Sequence, residues 1–277
     1  MYRNLIYIIL VLLLTSSCIK PKKKDEVKIP TGKERAYETY REAVNLMNSN
    51  QLFLASKKFA EAEMIMPKIE FSAKASLMSS YCLYTINFYD EAIINLERFI
   101  NKYPANKNVA YAHYIIVLSV YEQILDDKKD IEPAIISKKK IQDFIKKFPD
   151  TEYALDLKFK LDLVNNQLAA KELYVAKHYI SSQKWVPAIN RLKKIVEEYE
   201  ETIFIEEALH RLVEIYYKIG LEEEAKAVAS ILGYNYNSGK WYEESYKILN
   251  KSYKIKNPQD IKKNDGLIKR TIKNLLG

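Results

Sequence analysis

The chain has 277 residues, of which 48% are hydrophobic and 12% aromatic, so it can bury a substantial core. Its formal charge of +8 is concentrated near the end: residues 247–277 hold nine basic and two acidic residues, whereas residues 18–246 hold 34 of each. A nucleic-acid-binding domain carries its basic patch on its folded surface, so a neutral body argues against that class. Only 6 Gly and 8 Pro interrupt the chain, which favours helices.

The first eighteen residues resemble a bacterial lipoprotein signal. A basic residue at position 3 precedes an apolar run from Leu5 to Leu14, and small residues then lead to Cys18. The run is about 10 residues, short of the roughly 20 that span a bilayer. We therefore predict a signal peptide over 1–17, cleaved between Ser17 and Cys18. The residue three places before the cysteine is not the usual Leu, and an ordinary signal peptide or a signal anchor with an incidental cysteine is the alternative.

Lipidation would make Cys18 the anchor of the mature chain, carrying a diacylglyceryl group and an N-linked acyl chain, and we expect no other cofactor. Residues 18–33 are polar and lysine-rich without apolar periodicity, which predicts a flexible tether. Ile19 is not the Asp that retains lipoproteins at the inner membrane in many proteobacteria, so the periplasmic face of the outer membrane is permitted. With Cys18 lipidated, Cys82 has no disulfide partner, and its apolar neighbours predict a small core residue.

From residue 34 onward one helical pattern recurs. A small residue is followed at fixed spacing by two apolar residues and a Pro, which is the logic of a helical-hairpin repeat: the small residue admits a neighbouring helix and Pro ends the helix. We predict an all-α superhelical solenoid of about five TPR-like helical hairpins and no sheet, with a non-repeating helical bundle as the alternative. The copies are Ala55-Phe59-Ala62-Pro67, Ala92-Leu96-Phe99-Pro104 and Ser137-Ile141-Phe144-Pro149, with copies lacking Pro from Ala188 and, more weakly, from Ala225.

The repeats divide into two groups. Residues 34–150 hold three copies, residues 151–246 hold two, and residues 247–277 form a basic tail that we predict to be disordered or to end in a short helix. No Pro or Gly occurs between Asp150 and Val186. This stretch is therefore predicted to be one long helix or two nearly continuous helices, with a candidate break near Asn165-Asn166.

A more specific resemblance lies between Phe148 and Tyr242. Together with the signal and the repeats, it makes residues 18–242 similar to the BamD family, TPR lipoproteins of the outer-membrane β-barrel assembly machine that are also called competence lipoproteins. The chain departs from the family at Glu200 and Asn237, where the family often has Pro after Tyr. The segments that carry the resemblance are Phe148-Pro149-Asp150-Thr151-Glu152-Tyr153-Ala154, residues 168–180, Trp185-Val186-Pro187-Ala188-Ile189-Asn190-Arg191, Glu206-Glu207-Ala208-Leu209, Val213-Glu214-Ile215-Tyr216 and Gly220-Leu221.

The resemblance implies a non-enzymatic scaffold that aids the folding and insertion of barrel proteins into the outer membrane. It implies that the C-terminal repeats hold the periplasmic domain of the barrel-forming subunit and that the N-terminal repeats contact unfolded barrel proteins. Other assembly lipoproteins are further candidate partners. The alternative function is a periplasmic TPR adaptor for peptidoglycan or envelope organisation. Catalytic signals are absent from the sequence, which argues against an enzyme: His113, His178 and His210 lack metal-ligand spacing, and no Gly-rich phosphate loop occurs.

Arg191 and Trp185 are the candidate partner-binding residues. The resemblance implies that Arg191 faces the barrel-forming subunit, and its planar guanidinium suits a carboxylate. The alternatives are a solvated charge or an intramolecular pair with a glutamate such as Glu172. Trp185 lies at the turn of the fourth repeat, where a packing role is the favoured alternative to a contact.

Tyr81, Tyr84, Phe88 and Tyr89 cluster at the first hairpin of the second repeat and are the candidate substrate-groove residues. An aromatic groove suits an apolar, aromatic-ended substrate strand, since Tyr offers both contact area and a hydroxyl. The alternative is core packing, because aromatic residues at helical spacing usually lie between helices.

Overall fold

The computed structural model describes residues 32–124, 131–237 and 239–250. Within these ranges it contains eleven α-helices and no strand, which confirms the predicted all-α fold. In chain order the helices are α1 Gly32–Asn48, α2 Leu52–Ile65, α3 Ile69–Thr85, α4 Tyr89–Lys102, α5 Val109–Tyr121, α6 Glu132–Lys147, α7 Glu152–Ser181, α8 Trp185–Glu198, α9 Ile205–Lys218, α10 Glu222–Asn235 and α11 Lys240–Leu249.

Several predictions fall on other parts of the chain. The signal peptide 1–17, Cys18 and most of the tether lie outside the described residues, as does the tail from residue 251. Helix α1 begins at Gly32, inside the predicted tether, and α11 runs through Leu249, inside the predicted tail.

The helices pair into five hairpins, α1–α2 through α9–α10, and α11 follows as a single helix. Helices adjacent in sequence pack against one another in series, and α3 also contacts α5 as α9 contacts α11, which is the arrangement of a solenoid. Helices α2, α4 and α6 each end two residues before the repeat proline, at Pro67, Pro104 and Pro149. The small residues that define the repeat are all fully buried, as predicted: Ala55, Ala92, Ser137, Ala188 and Ala225.

Four of the hairpin turns share one backbone device. Two residues after the end of each first helix lies a residue with positive φ, namely Asn50 (59°), Asn87 (64°), Gln183 (54°) and Gly220 (84°). This left-handed residue with a six-to-one hydrogen bond is a Schellman motif, which satisfies the last carbonyls of the helix. The interval from Asn50 to Asn87 equals that from Gln183 to Gly220, so the motif follows the repeat. The six-to-one bonds run from Gln51 N to Leu46 O (2.9 Å), Phe88 N to Leu83 O (3.0 Å), Lys184 N to Tyr179 O (2.9 Å) and Leu221 N to Tyr216 O (2.8 Å).

Helix α7 joins the two groups of repeats. It is one continuous helix of 30 residues, about 45 Å long, and it packs against both α6 and α8. Thr151 caps it by accepting a hydrogen bond from Ala154 N at 3.2 Å. The candidate break is absent: the Asn166 amide donates to Asp162 O at 2.8 Å, and its oxygen accepts from Ile203 N at 3.1 Å. The asparagine thus fixes the loop after α8 against α7.

The core is continuous from α3 to α11, and a smaller cluster joins α1, α2 and α3. Cys82 lies in the smaller cluster with no exposed surface, as predicted, and burial raises the pKa of its thiol to about 11. At the other end, His210 Nδ1 lies 2.8 Å from Ser245 Oγ and ties α11 to α9.

None of the described helices is both long and apolar enough to cross a membrane.

Candidate partner and substrate surfaces

Arg191 projects from α8 and is about half exposed, with 44% of its side chain accessible. Its Nη1 donates to Oε2 of Glu172 on α7 at 3.0 Å, and Lys194 donates to Oε1 of the same carboxylate at 2.8 Å. Glu172 is buried, with 5% of its side chain exposed. The intramolecular pair that the sequence left open is therefore present. Within the described chain, Nη2 and Nε of Arg191 have no partner, so the outer edge of the guanidinium remains a free donor surface.

Trp185 is the first residue of α8 and is half-buried against the main core. The Lys218 ammonium, at the end of α9, lies 4.9 Å from the centre of its ring. This contact joins two successive turns of the solenoid, as a packing residue would. Six residues apart on one helix, Trp185 and Arg191 project about 120° from each other, so the structure does not bring them onto one face.

A second buried carboxylate, which sequence reasoning missed, lies in the N-terminal repeats. Glu63 of α2 is almost completely buried. Its carboxylate accepts a hydrogen bond from each of the two terminal guanidinium nitrogens of Arg98, both at 2.9 Å. Lys102 and the Tyr103 hydroxyl add bonds of 3.0 Å. Burial alone raises the pKa of Glu63, but these hydrogen bonds and the Arg98 charge outweigh it and hold the pKa below its ordinary value. One feature of the sequence could have revealed this buried carboxylate: Glu63 stands next to Ala62, which belongs to the buried stripe of α2.

The four predicted groove residues lie at the α3–α4 hairpin. The Tyr84 and Tyr89 rings are 6.0 Å apart, and the Tyr89 hydroxyl donates to Asn87 Oδ1 at 2.9 Å. Tyr81 is half-buried one turn before Tyr84 on α3. All three tyrosines therefore keep part of their surface in solvent, which core packing alone would not leave.

Phe88 separates from these tyrosines and turns toward α2. It is 43% exposed and meets Phe53 edge-on at 5.9 Å. A surface cavity of about 210 Å³ opens beside Phe88, Tyr89 and Gln123. The structure thus places Phe88 at the rim of a cavity rather than in a continuous wall with Tyr81 and Tyr84.

The aromatic surface continues onto α5 and α7. Tyr114 stacks on Tyr153 at 4.8 Å, Tyr111 lies 5.7 Å from Tyr153, and the Tyr114 hydroxyl donates to Asp156 Oδ2 at 2.8 Å. Burial is the main cause that raises the pKa of Tyr84, and the charges of Glu122 and Asp156 raise it further. Tyr84 on α3 therefore lies near this cluster. Sequence reasoning missed these residues, although the spacing of Tyr111 and Tyr114 places both on one face of α5. We call the combined set the tyrosine surface: Tyr81, Tyr84, Tyr89, Tyr111, Tyr114 and Tyr153.

The tyrosine surface offers hydrogen-bond donors under all ordinary conditions. Burial raises the pKa of Tyr111 to about 12 and also raises the pKa values of Tyr84 and Tyr114. These three phenols therefore remain protonated, and each combines an apolar ring with an O–H group, which Tyr114 already donates to Asp156. Among the residues that the structure describes, no group of His, Cys, Asp and Glu is arranged to hold a metal ion.

Comparison with known proteins agrees with this architecture. A family model described as outer membrane lipoprotein, YfiO, matches residues 33–231. The outer membrane protein assembly factor BamD of Rickettsia prowazekii is 36% identical over 237 residues, which cover 86% of this chain and 92% of that protein. BamD of Caulobacter vibrioides is 37% identical over 231 residues, covering 83% and 75%. BamD of Neisseria meningitidis serogroup A is 26% identical over 208 residues, covering 71% and 78%.

Proposed function

The chain belongs to the YfiO family of outer membrane lipoproteins, and we propose from this membership that it acts as a non-enzymatic scaffold in outer-membrane protein assembly. The observation that carries the proposal is the match to assembly factors along nearly the whole described fold. A solenoid of helical hairpins suits the task, because it offers an extended surface on which several partners bind at once.

In this proposal Cys18 is the lipid-bearing residue that holds the scaffold at the periplasmic face of the outer membrane. The apolar run and the small residues before the cysteine support it. Cys18→Ala should release the protein from the membrane fraction. If this variant stays in the membrane fraction as fully as the wild type does, Cys18 is not the anchor; the description of the fold does not depend on this result.

The C-terminal repeats, residues 151–246, hold the periplasmic part of the barrel-forming subunit. Arg191 supports this assignment, because its buried neighbour Glu172 fixes one end of the guanidinium and leaves the other donors at the surface. A preorganised guanidinium loses less side-chain entropy when it pairs with a partner carboxylate. Trp185 contributes by fixing the start of α8.

The N-terminal repeats, residues 34–150, bind unfolded barrel proteins through the tyrosine surface, to which Tyr153 at the start of α7 adds one ring. The protonated phenols of Tyr84 and Tyr111 can donate to the unpaired backbone carbonyls of an extended chain, while the rings of the surface cover apolar side chains. Binding one partner at each end and anchoring both at the membrane raises the local concentration of substrate near the barrel-forming subunit.

Depletion of the chain from its own cell tests the function. The amounts of barrel proteins in the outer membrane should fall as the protein is depleted and recover when the wild-type gene is expressed again. An adaptor for peptidoglycan would instead alter the cell wall and leave the barrel proteins at their normal amounts, and that result would reject the proposal.

A further inference from the structure

Large apolar side chains stand in solvent along one side of α7, the helix that joins the two groups of repeats. Leu155 and Phe159 are 73% and 63% exposed, and Leu163 follows one turn later with 44% exposed. The spacing of four residues places these three side chains on one side of the helix over about 12 Å, opposite the buried Leu157 and Val164. An exposed apolar group of this kind marks a candidate interaction surface.

The loop between α8 and α9 extends this surface. Ile203 is 81% exposed, and its backbone N–H donates to Asn166 Oδ1 at 3.1 Å. Because Asn166 lies less than one turn after Leu163, this bond places Ile203 beside the end of the row. We call Leu155, Phe159, Leu163 and Ile203 the apolar stripe.

The same loop is strongly acidic. It holds Glu197, Glu198, Glu200 and Glu201 around a cavity of about 160 Å³, and we call residues 197–201 the acidic loop. Among the residues that the structure describes, the first, third and fourth of these glutamates find no ion-pair partner. Asn165 also lines the cavity, and its buried Oδ1 accepts no hydrogen bond from the described residues. A basic side chain, which only donates, suits this combination of acceptors.

One segment of the chain itself has the complementary character. Residues 261–277, which lie outside the described ranges, hold five basic residues and one acidic residue. In a helix, Ile268, Ile272 and Leu275 share one side over about 10 Å, with Lys273 on the opposite side. The segment therefore combines an apolar row as long as the row on α7 with positive charge to match the acidic loop.

This segment is close enough to reach the apolar stripe. Burial raises the pKa of Tyr236, and the charges of Glu200 and Glu206 raise it further, so the end of α10 lies near the acidic loop. Helix α11, which follows, is about 15 Å long. The sixteen residues 251–266 can then span up to about 55 Å, more than the remaining distance requires.

We propose that residues 267–276 dock as a short helix on the apolar stripe of the same chain. Ile268, Ile272 and Leu275 cover the stripe, and the long lysine side chains of the segment reach the acidic loop while their stems stay on apolar surface. A connecting segment of this length supplies an effective concentration of the order of millimolar, so a small contact is sufficient. This contact goes beyond the assembly function and does not rest on it.

A second copy of the chain fits the stripe less well. Two stripes facing each other share only about 12 Å of helix, a contact far smaller than the roughly 1,200 Å² of a stable interface. In an antiparallel pair centred on Phe159, the second copy would also bring its Glu152 level with Asn166, where the acidic loop lies. Like charges would then oppose the pairing.

Disulfide trapping in the full-length chain tests the docking. Phe159→Cys with Ile272→Cys joins the middles of the two apolar rows, so it reports docking in either direction. Tyr174→Cys with Ile272→Cys is the control, because Tyr174 is 57% exposed on the same helix but about 22 Å further along. Both pairs carry Cys18→Ala, which makes the result independent of a lipid anchor, and the buried Cys82 does not compete. Under mild oxidation the first pair should close within one chain about tenfold faster than the control.

Two double variants form a matched pair in the same assay. Glu197→Gln with Glu201→Gln removes charge from the acidic loop, whereas Glu222→Gln with Glu224→Gln removes equal charge from exposed positions on α10. The first should slow closure of the Phe159→Cys pair by about threefold, and the second by less than about 1.5-fold. Equal rates in the two cysteine pairs, a disulfide that joins two chains, equal losses in both glutamate variants, or loss of the preferred cross-link on addition of phosphatidylglycerol vesicles would overturn the proposal.

Discussion

Arg191 of α8 and the buried Glu172 of α7 form an ion pair, with 3.0 Å between Nη1 and Oε2. Lys194 takes the other carboxylate oxygen at 2.8 Å. Glu63 has the same kind of environment, since it is buried and receives both an Arg and a Lys from α4. In each half of the solenoid one carboxylate thus ties neighbouring helices together. A partner role for Arg191 must therefore be separated from its structural role.

Arg191→Met and Lys194→Met give that separation, because both remove one positive charge from the same buried carboxylate. Each should lower the free energy of unfolding by about 1–2 kcal/mol, since Glu172 loses one of its two charged hydrogen bonds. Only Arg191→Met should weaken co-isolation of the barrel-forming subunit. If Lys194→Met weakens it equally, Arg191 acts through the fold and not as a contact. Arg191→Glu is less informative, because it places a second negative charge beside Glu172.

Glu63→Gln tests the buried carboxylate of the N-terminal repeats. The pKa of Glu63 in the folded chain lies below its unfolded value of about 4.3. Its contribution to stability is therefore complete above that value and is lost as the pH falls through the folded pKa. At pH 7 the variant should be less stable by about 2 kcal/mol. Below about pH 4 the wild type should lose stability more steeply than the variant.

Urea unfolding at a series of pH values measures both effects. Glu61→Gln is the control, because Glu61 is two residues away but only half-buried, with Lys58 at 3.2 Å and Arg35 at 3.8 Å as its partners. Such a surface pair contributes about 0–1 kcal/mol. A pH dependence that is the same in the wild type and in Glu63→Gln would mean that the charge of Glu63 does not stabilise the fold.

Gln183→Gly should stabilise the protein. Gln183 has a φ of 54°, a left-handed conformation that costs a residue with a side chain about 1 kcal/mol and costs glycine little. The urea midpoint should rise by the equivalent of about 1 kcal/mol, and Gly220→Ala, at the corresponding turn, should lower it by a similar amount. A decrease in the midpoint for Gln183→Gly would show that the Gln side chain stabilises the turn.

The tyrosine surface should lie close to bound substrate. A photoreactive phenylalanine analogue in place of Tyr89 should form cross-links to unfolded barrel proteins in cells. The same analogue in place of Tyr174, which is more than half exposed on α7 and outside the tyrosine surface, is the control. Cross-links of equal yield from both positions would show that contact is not confined to this surface.

The repeat was predictable because its signal is local. Ala55 and Ala92 stand in the same short pattern of apolar residues and Pro, and each is buried where that pattern places it. The pairing of Glu63 with Arg98 was not predictable in this way, since it joins two helices whose relative rotation no local pattern fixes. Tyr153 was missed for the same reason: it meets Tyr114 only because α7 packs back toward α5.

Isolation of the full-length chain from detergent-extracted membranes tests most directly whether this solenoid holds a barrel-forming subunit at the outer membrane. Mass spectrometry of the proteins that remain bound should identify a barrel-forming subunit in amounts close to those of the chain itself. Isolation of the chain without any barrel-forming protein, under conditions that preserve the helical fold, would contradict the account.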